Sequence, residues 1–557
     1  MTDLDVSAPP DLILTEATTG IARRFLPGRP GLSLLLAMAR RPRRVANRAA
    51  TLVAELTRIA AGSSTVAPSS RDKRFADPAW TGNPLLRRVV QAYLAAGIAA
   101  EGLVQDLPLE WQDAERIKFL TTNLVEALAP SNNPLLSPVA WKAIIDTGGG
   151  NLRTGAQQLI SDFSHAPFIP SMVDQSAFRV GSDLGITPGA VVLRTPMFEL
   201  IQYRPQTETV RTVPLLIIPP TINKFYVLDL APGRSLIEYL VGQGQQVFVV
   251  SWRNPDARHS KWGFDAYVEA VAGAFDAVDE ITGHSTAHVL AACSGGLLAA
   301  MAAAYRAETA GFDRLASLDL LVTMFDQARE DAFGAMVDEQ AAAAAIARSR
   351  RQGYLDGKQL AAVFAWLRPR DLVWNYWVNN YLQGRKPPAF DILFWNADTT
   401  RMPAKLHRDF LDTALGNKLA RPGGVTVLGT EIDLKRITAD SYVVAGSADH
   451  LCPWTNCYRS SQMLGGKVRF VLSTNGHIAA LVNPSDNHKS SYRVSDDNSL
   501  DPEAWQRTAT TEQGSWWPDF AQWLGDRSGE LVPAPAHLGN ARFQPIEAAP
   551  GSYVLDR

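Results

Sequence analysis

Six short apolar runs rich in β-branched residues recur along the middle and end of the chain, at 213–218, 246–252, 287–290, 318–324, 441–446 and 467–472. Their length and continuous hydrophobicity suit strands covered on both faces rather than the alternating pattern of a half-exposed sheet. Between them, 236–244 and 297–305 carry apolar residues at helical spacing. Strands alternating with helices predict a doubly wound α/β sheet, in which chemically active groups collect outside the carboxyl ends of the strands. Residues 1–185 read as a mainly helical region, interrupted by the small, polar stretch 62–70 that reads as a linker. A second domain over 186–557 holds the sheet, with a cap inserted at about 327–435 that includes the Ala-rich helical run 339–351, and a Pro-rich tail at 533–550.

The run at 287–290 leads into Ala291-Ala292-Cys293-Ser294-Gly295-Gly296 and then into a helical stretch. Strand, sharp turn with a nucleophile at its tip, then helix is a nucleophile elbow, here with a thiol in place of a hydroxyl. Small residues are needed two before and two after the nucleophile, because strand and helix pack closely there. Gly295 supplies one, and Ala291 stands where the first glycine is usual. Most free cysteines are small buried hydrophobes, so the reading depends on an acid and then a histidine at later strand ends. Asp449 follows the run 441–446 in Ser447-Ala448-Asp449-His450, and His477 follows 467–472 in Ser473-Thr474-Asn475-Gly476-His477. The long separation between Cys293 and Asp449 leaves room for the cap. This is the layout of a capped α/β-hydrolase fold with a mainly helical N-terminal region. His450 is a rival base; His477 is preferred because it follows the last strong strand in a Gly-containing loop. In this architecture the oxyanion donors are the backbone N–H after the nucleophile, Ser294, and one from the loop after 213–218, for which Ile222 is the choice.

The elbow, together with Pro219-Pro220-Thr221-Ile222-Asn223-Lys224-Phe225-Tyr226 and Ser251-Trp252-Arg253-Asn254-Pro255-Asp256, resembles the polyhydroxyalkanoate synthases. So do Leu367-Arg368-Pro369-Arg370-Asp371-Leu372-Val373-Trp374-Asn375-Tyr376, Asp391-Ile392-Leu393-Phe394-Trp395-Asn396-Ala397-Asp398, Gly514-Ser515-Trp516-Trp517-Pro518 and Leu538-Gly539-Asn540. The likeness begins near Arg74-Phe75-Ala76-Asp77-Pro78-Ala79-Trp80 and is closer to the medium-chain, single-subunit branch. It implies an acyltransferase that polymerises (R)-3-hydroxyacyl-coenzyme A into polyester with release of coenzyme A. Cys293 would carry the acyl group and His477 would activate it, while Asp449 would orient His477 or activate the substrate hydroxyl. It also implies a homo-oligomer in the cytoplasm, associated with the growing polyester and its granule surface. Alternatives left open are a thiol-dependent thioesterase or depolymerase and a non-catalytic granule-binding relative.

Composition narrows the partners. With 46% hydrophobic and 20% charged residues and a formal net charge of −2, the 557-residue chain gives no support for a nucleic-acid partner. Its three cysteines, Cys293, Cys452 and Cys457, are too few for a disulfide framework and suggest a reducing compartment. Cys452 and Cys457 near His450 lack a second cluster, so neither zinc nor a cofactor is expected. The opening Met1-Thr2-Asp3-Leu4-Asp5 has no basic region before an apolar stretch, so no secretory signal is read. No run approaches the ~20 apolar residues of a membrane-spanning helix. Arg40, Arg41, Arg43, Arg44 and Arg48 precede an amphipathic stretch at 49–61, which could lie on a hydrophobic granule or pack on its own protein.

Overall fold

The computed structural model describes residues 10–18, 25–70, 72–310, 314–328 and 339–557. The opening residues read for a secretory signal, and the stretch 329–338 of the expected cap, lie outside them. The described residues divide into two compact units, one within 25–174 and 358–389, the other within 10–18, 175–357 and 390–557.

The larger unit is built on an eleven-stranded sheet among the described residues. In chain order its strands are β1 (Gly189–Arg194), β2 (Phe198–Tyr203), β3 (Leu215–Ile218), β4 (Val247–Trp252), β5 (Ala287–Ala292), β6 (Leu315–Leu321), β7 (Ser441–Gly446), β8 (Val468–Ser473), β9 (Ser491–Ser495), β10 (Thr510–Gln513) and β11 (Glu547–Ala548). In space they run β10-β9-β8-β7-β6-β5-β3-β4-β2-β1-β11. The stretch from β4 to β8 is parallel throughout. These are the six strands that the continuous apolar runs predict, and β3, β4, β5 and β7 are buried at every position. The antiparallel flanks, β2 against β4, β9 against β8 and β10 against β9, extend the sheet beyond that expectation. Their sequences hid them: β9 alternates partly and fully buried positions, and all of β10 is exposed. The architecture is an α/β-hydrolase fold. Because β3 pairs with β4 on one side and β5 on the other, strand order reverses there, and a crevice opens at the carboxyl ends of β3 and β5.

The Pro-rich tail closes the sheet edge in the same unit. β11 pairs antiparallel with β1, and the buried Glu199 carboxylate accepts N–H bonds from Ser552 (3.1 Å) and Tyr553 (3.0 Å). The buried Lys224 ammonium donates to the carbonyls of Val554 (2.6 Å) and Asp556 (2.9 Å) and pairs with Asp398 (2.8 Å).

The smaller unit is helical, from Gly28–Arg40 and Pro42–Ala61 through Pro84–Asp106, Trp111–Ala127, Pro138–Thr147 and Gly150–Ser164. Its segment 358–389 includes two π-helical turns, Arg370–Trp374 and Trp377–Leu382. Arg74 joins its parts: it pairs with Asp72 (2.7 Å) and with the buried Glu126 (2.5 Å), which also takes Arg370 at 2.6 Å. The basic helix Pro42–Ala61 lies on Pro84–Asp106, with Arg48 bonded to Asp106 and passing over Gly102, where a Cβ would stand 2.6 Å from the guanidinium carbon. The aromatics within the expected cap segment, 327–435, are divided between the units. Trp366, Trp374 and Trp377 form an edge-to-face chain ending at Tyr381 in the helical unit. In the sheet unit Phe394 meets Phe178, and the indole of Trp395 donates to the Lys224 carbonyl at 2.7 Å. Among the described residues no helix is long and apolar enough to cross a membrane.

Candidate active site

The elbow follows from crowding at the end of β5. Cys293 has φ +51°, a left-handed conformation that costs a non-glycine residue about 1–2 kcal/mol and holds the side chain at the tip of the turn. Its N–H donates to the Leu321 carbonyl (2.9 Å), and its own carbonyl accepts from the Gly296 N–H (3.0 Å). Two residues on, a Cβ at Gly295 would lie 2.4 Å from the Pro219 carbonyl oxygen and 2.6 Å from that of Ile218, so glycine is required. Ala291 is fully buried in the strand, and its methyl is accommodated without loss of the turn. The helix Ser294–Ala310 then begins directly after the thiol.

β7 and β8 end beside it. Asp449 lies in the loop after β7, its carboxylate fully buried. One carboxylate oxygen, Oδ1, accepts the backbone N–H groups of Leu451 (2.8 Å) and Cys452 (2.9 Å), which folds the loop back on itself. The other, Oδ2, takes Nδ1 of His477 at 2.6 Å. His477 opens the short helix His477–Leu481 after β8 and is buried. With Nδ1 engaged by Asp449, Nε2 is the nitrogen left to face the sulfurs. Ligand atoms of Cys293, Cys452 and His477 all lie within 4.8 Å of one another. His450, the rival base, sits next to Asp449 in sequence, and the carboxylate bonds His477 instead.

Charge in this cluster is polarised. The Cys293 thiol is held well below its ordinary value, first by a hydrogen bond with Cys452 and then, against the cost of burial, by His477 and the Ser294 N–H. Cys452 moves the opposite way, pushed up by its bond to Cys293 and by burial. Burial pulls His477 down, but the Asp449 carboxylate and the Cys293 sulfur outweigh it and carry the imidazole up to about 10. These shifts favour a thiolate on Cys293 beside an imidazolium on His477, with the proton of the sulfur pair on Cys452. The positive end of the helix opening at Ser294 favours the same thiolate.

The loop after β3 completes the crevice. Its Thr221 N–H donates to the Ser294 hydroxyl at 3.0 Å, and the Ile222 carbonyl accepts from the Thr400 N–H (3.1 Å) and hydroxyl (2.6 Å). Ser294 and Ile222 therefore stand on adjoining segments at the mouth of the elbow. Asp326, past the end of β6, is engaged by Arg459 (3.3 Å) and Asn417 (2.8 Å). Cys457 is fully buried and contacts the Cys452 carbonyl at 3.7 Å. The sequence grouped Cys452 with Cys457 and His450 and did not reveal its place beside Cys293 and His477.

Residues 71–240 match the family described as the N-terminus of poly-beta-hydroxybutyrate polymerase (PhaC), and 214–484 match the alpha/beta hydrolase fold. Poly(3-hydroxyalkanoate) polymerase 1 of Ectopseudomonas oleovorans is 45% identical over 94% of this chain and 94% of its own. Polymerase 2 of the same organism is 43% identical over the whole of both chains. The poly(3-hydroxyalkanoate) polymerase subunit PhaC of Cupriavidus necator is 37% identical, covering 97% of this chain and 93% of its own. An elbow thiol backed by a buried histidine and carboxylate, and relatives matched end to end, lead to one assignment: the chain belongs to the poly(3-hydroxyalkanoate) polymerase family of acyltransferases.

Proposed function

We propose that the protein polymerises (R)-3-hydroxyacyl-coenzyme A through a covalent acyl-Cys293 intermediate, releasing one coenzyme A for each unit added. The observation that carries this is the juxtaposition of the Cys293 sulfur with a His477 imidazole that Asp449 holds at 2.6 Å. The thiolate attacks the substrate thioester carbonyl, and the oxyanion is received by the backbone N–H groups of Ser294 and Ile222. Collapse breaks the bond to coenzyme A, whose sulfur takes the proton from His477. One thioester has replaced another, so this step is close to balanced. His477, now neutral, accepts the proton of the 3-hydroxyl of a second acyl-coenzyme A as that oxygen attacks acyl-Cys293. An oxygen ester forms, Cys293 leaves as thiolate, and the elongated chain, still a coenzyme A thioester, reloads onto Cys293 with loss of coenzyme A. Asp449 orients His477 through both halves of the cycle.

Chain growth in place of hydrolysis requires that the hydroxyl, not water, reach the acyl-enzyme. The half-buried thiol and the buried His477 and Asp449 support that demand. Work at a polyester granule in the cytoplasm, as a homo-oligomer, belongs to the same reading. The apolar exposure of Leu32, Leu35 and Leu36 on Gly28–Arg40 supports granule contact.

The test compares wild type with Cys293→Ala on 3-hydroxybutyryl- and 3-hydroxyoctanoyl-coenzyme A, following coenzyme A release and product. Release coupled to insoluble polyester and absent from the variant is expected, with the longer substrate preferred. Free hydroxy acid would mean a thioesterase, and no release by wild type would mean a non-catalytic relative.

A further inference from the structure

In the sequence, Cys452, Cys457 and His450 are the residues that raise a metal question. Folding assembles a different set. Among the described residues, one group of His, Cys and carboxylate side chains brings metal-type donor atoms together, namely Cys293, Cys452 and His477. Its two sulfurs and one imidazole nitrogen lie within 4.8 Å of one another. Tetrahedral zinc, with Zn–S near 2.3 Å and Zn–N near 2.0–2.1 Å, holds such atoms about 3.5–3.8 Å apart. The 4.8 Å bound on the three donors is close to that spacing. The supporting shell is already in place. Asp449 bonds Nδ1 of His477 at 2.6 Å and so presents Nε2, which is the carboxylate–histidine arrangement found behind zinc-bound imidazoles. The same carboxylate fixes the backbone of Cys452 at 2.9 Å, so a single anchored group positions two of the three donors. Cys457 takes no part: its sulfur is turned to the Cys452 carbonyl and fully buried.

We propose that Cys293, Cys452 and His477 form a binding site for a thiophilic divalent cation of the zinc class, with a fourth position open, and that occupancy switches the enzyme off reversibly. Binding stands on the donor geometry. The inhibition rests on the reading of Cys293 as nucleophile and His477 as base, because the metal takes the sulfur lone pair and the nitrogen that the reaction needs. Ligation exchanges bonds without redox change: the metal loses bound waters and gains two thiolates and an imidazole, and displaced protons pass to solvent. Cys452 distinguishes this site from a plain thiol–imidazole pair, since two donors alone make a weak site and three make a zinc site of the open type.

The experiment uses the full-length protein, reduced with a phosphine and freed of metal with EDTA. Cobalt(II) and zinc(II) are titrated into wild type, Cys452→Ala and Cys452→Ser, each variant checked for native circular dichroism. Wild type is expected to bind one cobalt with a near-ultraviolet thiolate-to-cobalt band. Zinc should displace that cobalt and stop coenzyme A release, with recovery on adding EDTA. Both variants should bind at least about tenfold more weakly, and zinc should inhibit them correspondingly less, each relative to its own metal-free rate. Equal affinity in wild type and both variants, or bound cobalt without the thiolate band, would overturn the site. Because binding is read without substrate, the two readings fail separately. Tight binding with undiminished coenzyme A release would refute Cys293 as nucleophile and inhibition with it, leaving the metal site intact, whereas absence of binding beside an inactive Cys293→Ala would refute only the metal site.

Discussion

A single methyl decides whether the elbow can form. On Gly295 it would lie 2.4 Å from the Pro219 carbonyl oxygen and 2.8 Å from its carbon, both backbone atoms that cannot rotate away. Gly295→Ala should therefore push the helix Ser294–Ala310 off the end of β3, costing about 1–3 kcal/mol and most of the coenzyme A release. A thermal melt read beside a turnover assay checks both. Asp449 acts through charge rather than bulk. His477 stands at about 10 because the carboxylate and the Cys293 sulfur together outweigh burial; in Asp449→Asn the larger of those two supports is gone and the imidazole falls. A raised histidine contributes stability in full below its unfolded value near 6.5 and loses it as pH rises through about 10. The stability gap between wild type and Asp449→Asn should accordingly be widest below pH 6.5 and close as pH rises through about 10. The thiolate should follow the same partner. Iodoacetamide should alkylate wild-type Cys293 at a rate already on its plateau well below the thiol's ordinary 9.0, and Asp449→Asn should move that rise upward in pH. By analogy with tautomer loss in other triads, turnover should drop roughly 10³–10⁴-fold. At this scale Cys293, Asp449 and His477 were legible because each closes an apolar run, and strand ends point at the site. Cys452 was not, because its approach depends on hydrogen bonds that the Leu451 and Cys452 N–H groups donate to Asp449, folding the loop, and no periodicity announces those.

Elements held by buried charge should fail when one partner is removed. Glu126 in Trp111–Ala127 receives Arg74 and Arg370 while itself only 3% exposed. Glu126→Gln leaves two guanidinium groups facing a neutral amide, with an expected loss of about 3–5 kcal/mol measured by urea unfolding. The tail makes a comparable claim on the sheet edge. Deleting 545–557 removes β11, the N–H donors of Glu199 and the carbonyl partners of Lys224. Among the described residues Glu199 then keeps only Arg194 and Lys224 only Asp398, and a cost of roughly 1–3 kcal/mol for the lost bonds of each should lower the melting temperature even though neither touches the elbow. The parallel strands were readable because burial on both faces demands continuous apolar runs. The antiparallel flanks were not, since β10 is wholly exposed and β11 is two residues long. Those strands exist because a neighbouring strand offers hydrogen bonds, which is a tertiary cause.

For the molecule as a whole, the chain forms two compact units, and 358–389, within the expected cap, groups with the helices that precede the sheet. Hydrophobicity marks that segment as buried without saying against what. On the helical unit, Leu32, Leu35 and Leu36 are 58%, 63% and 48% exposed. Changing all three to serine should lower the fraction of enzyme that sediments with polyester granules while leaving coenzyme A release in solution intact; unchanged sedimentation would remove these residues from the contact. The central claim concerns a covalent bond, and a rapid-quench experiment reads it directly. Wild-type enzyme is mixed with 3-hydroxyoctanoyl-coenzyme A, stopped in acid and digested, and the peptides are weighed. The account predicts the 3-hydroxyacyl group, in units rising with time, on the peptide that contains Cys293 and as a thioester that hydroxylamine removes. An acyl group found on Cys452 or on a serine, or polyester made by Cys293→Ala, would contradict it.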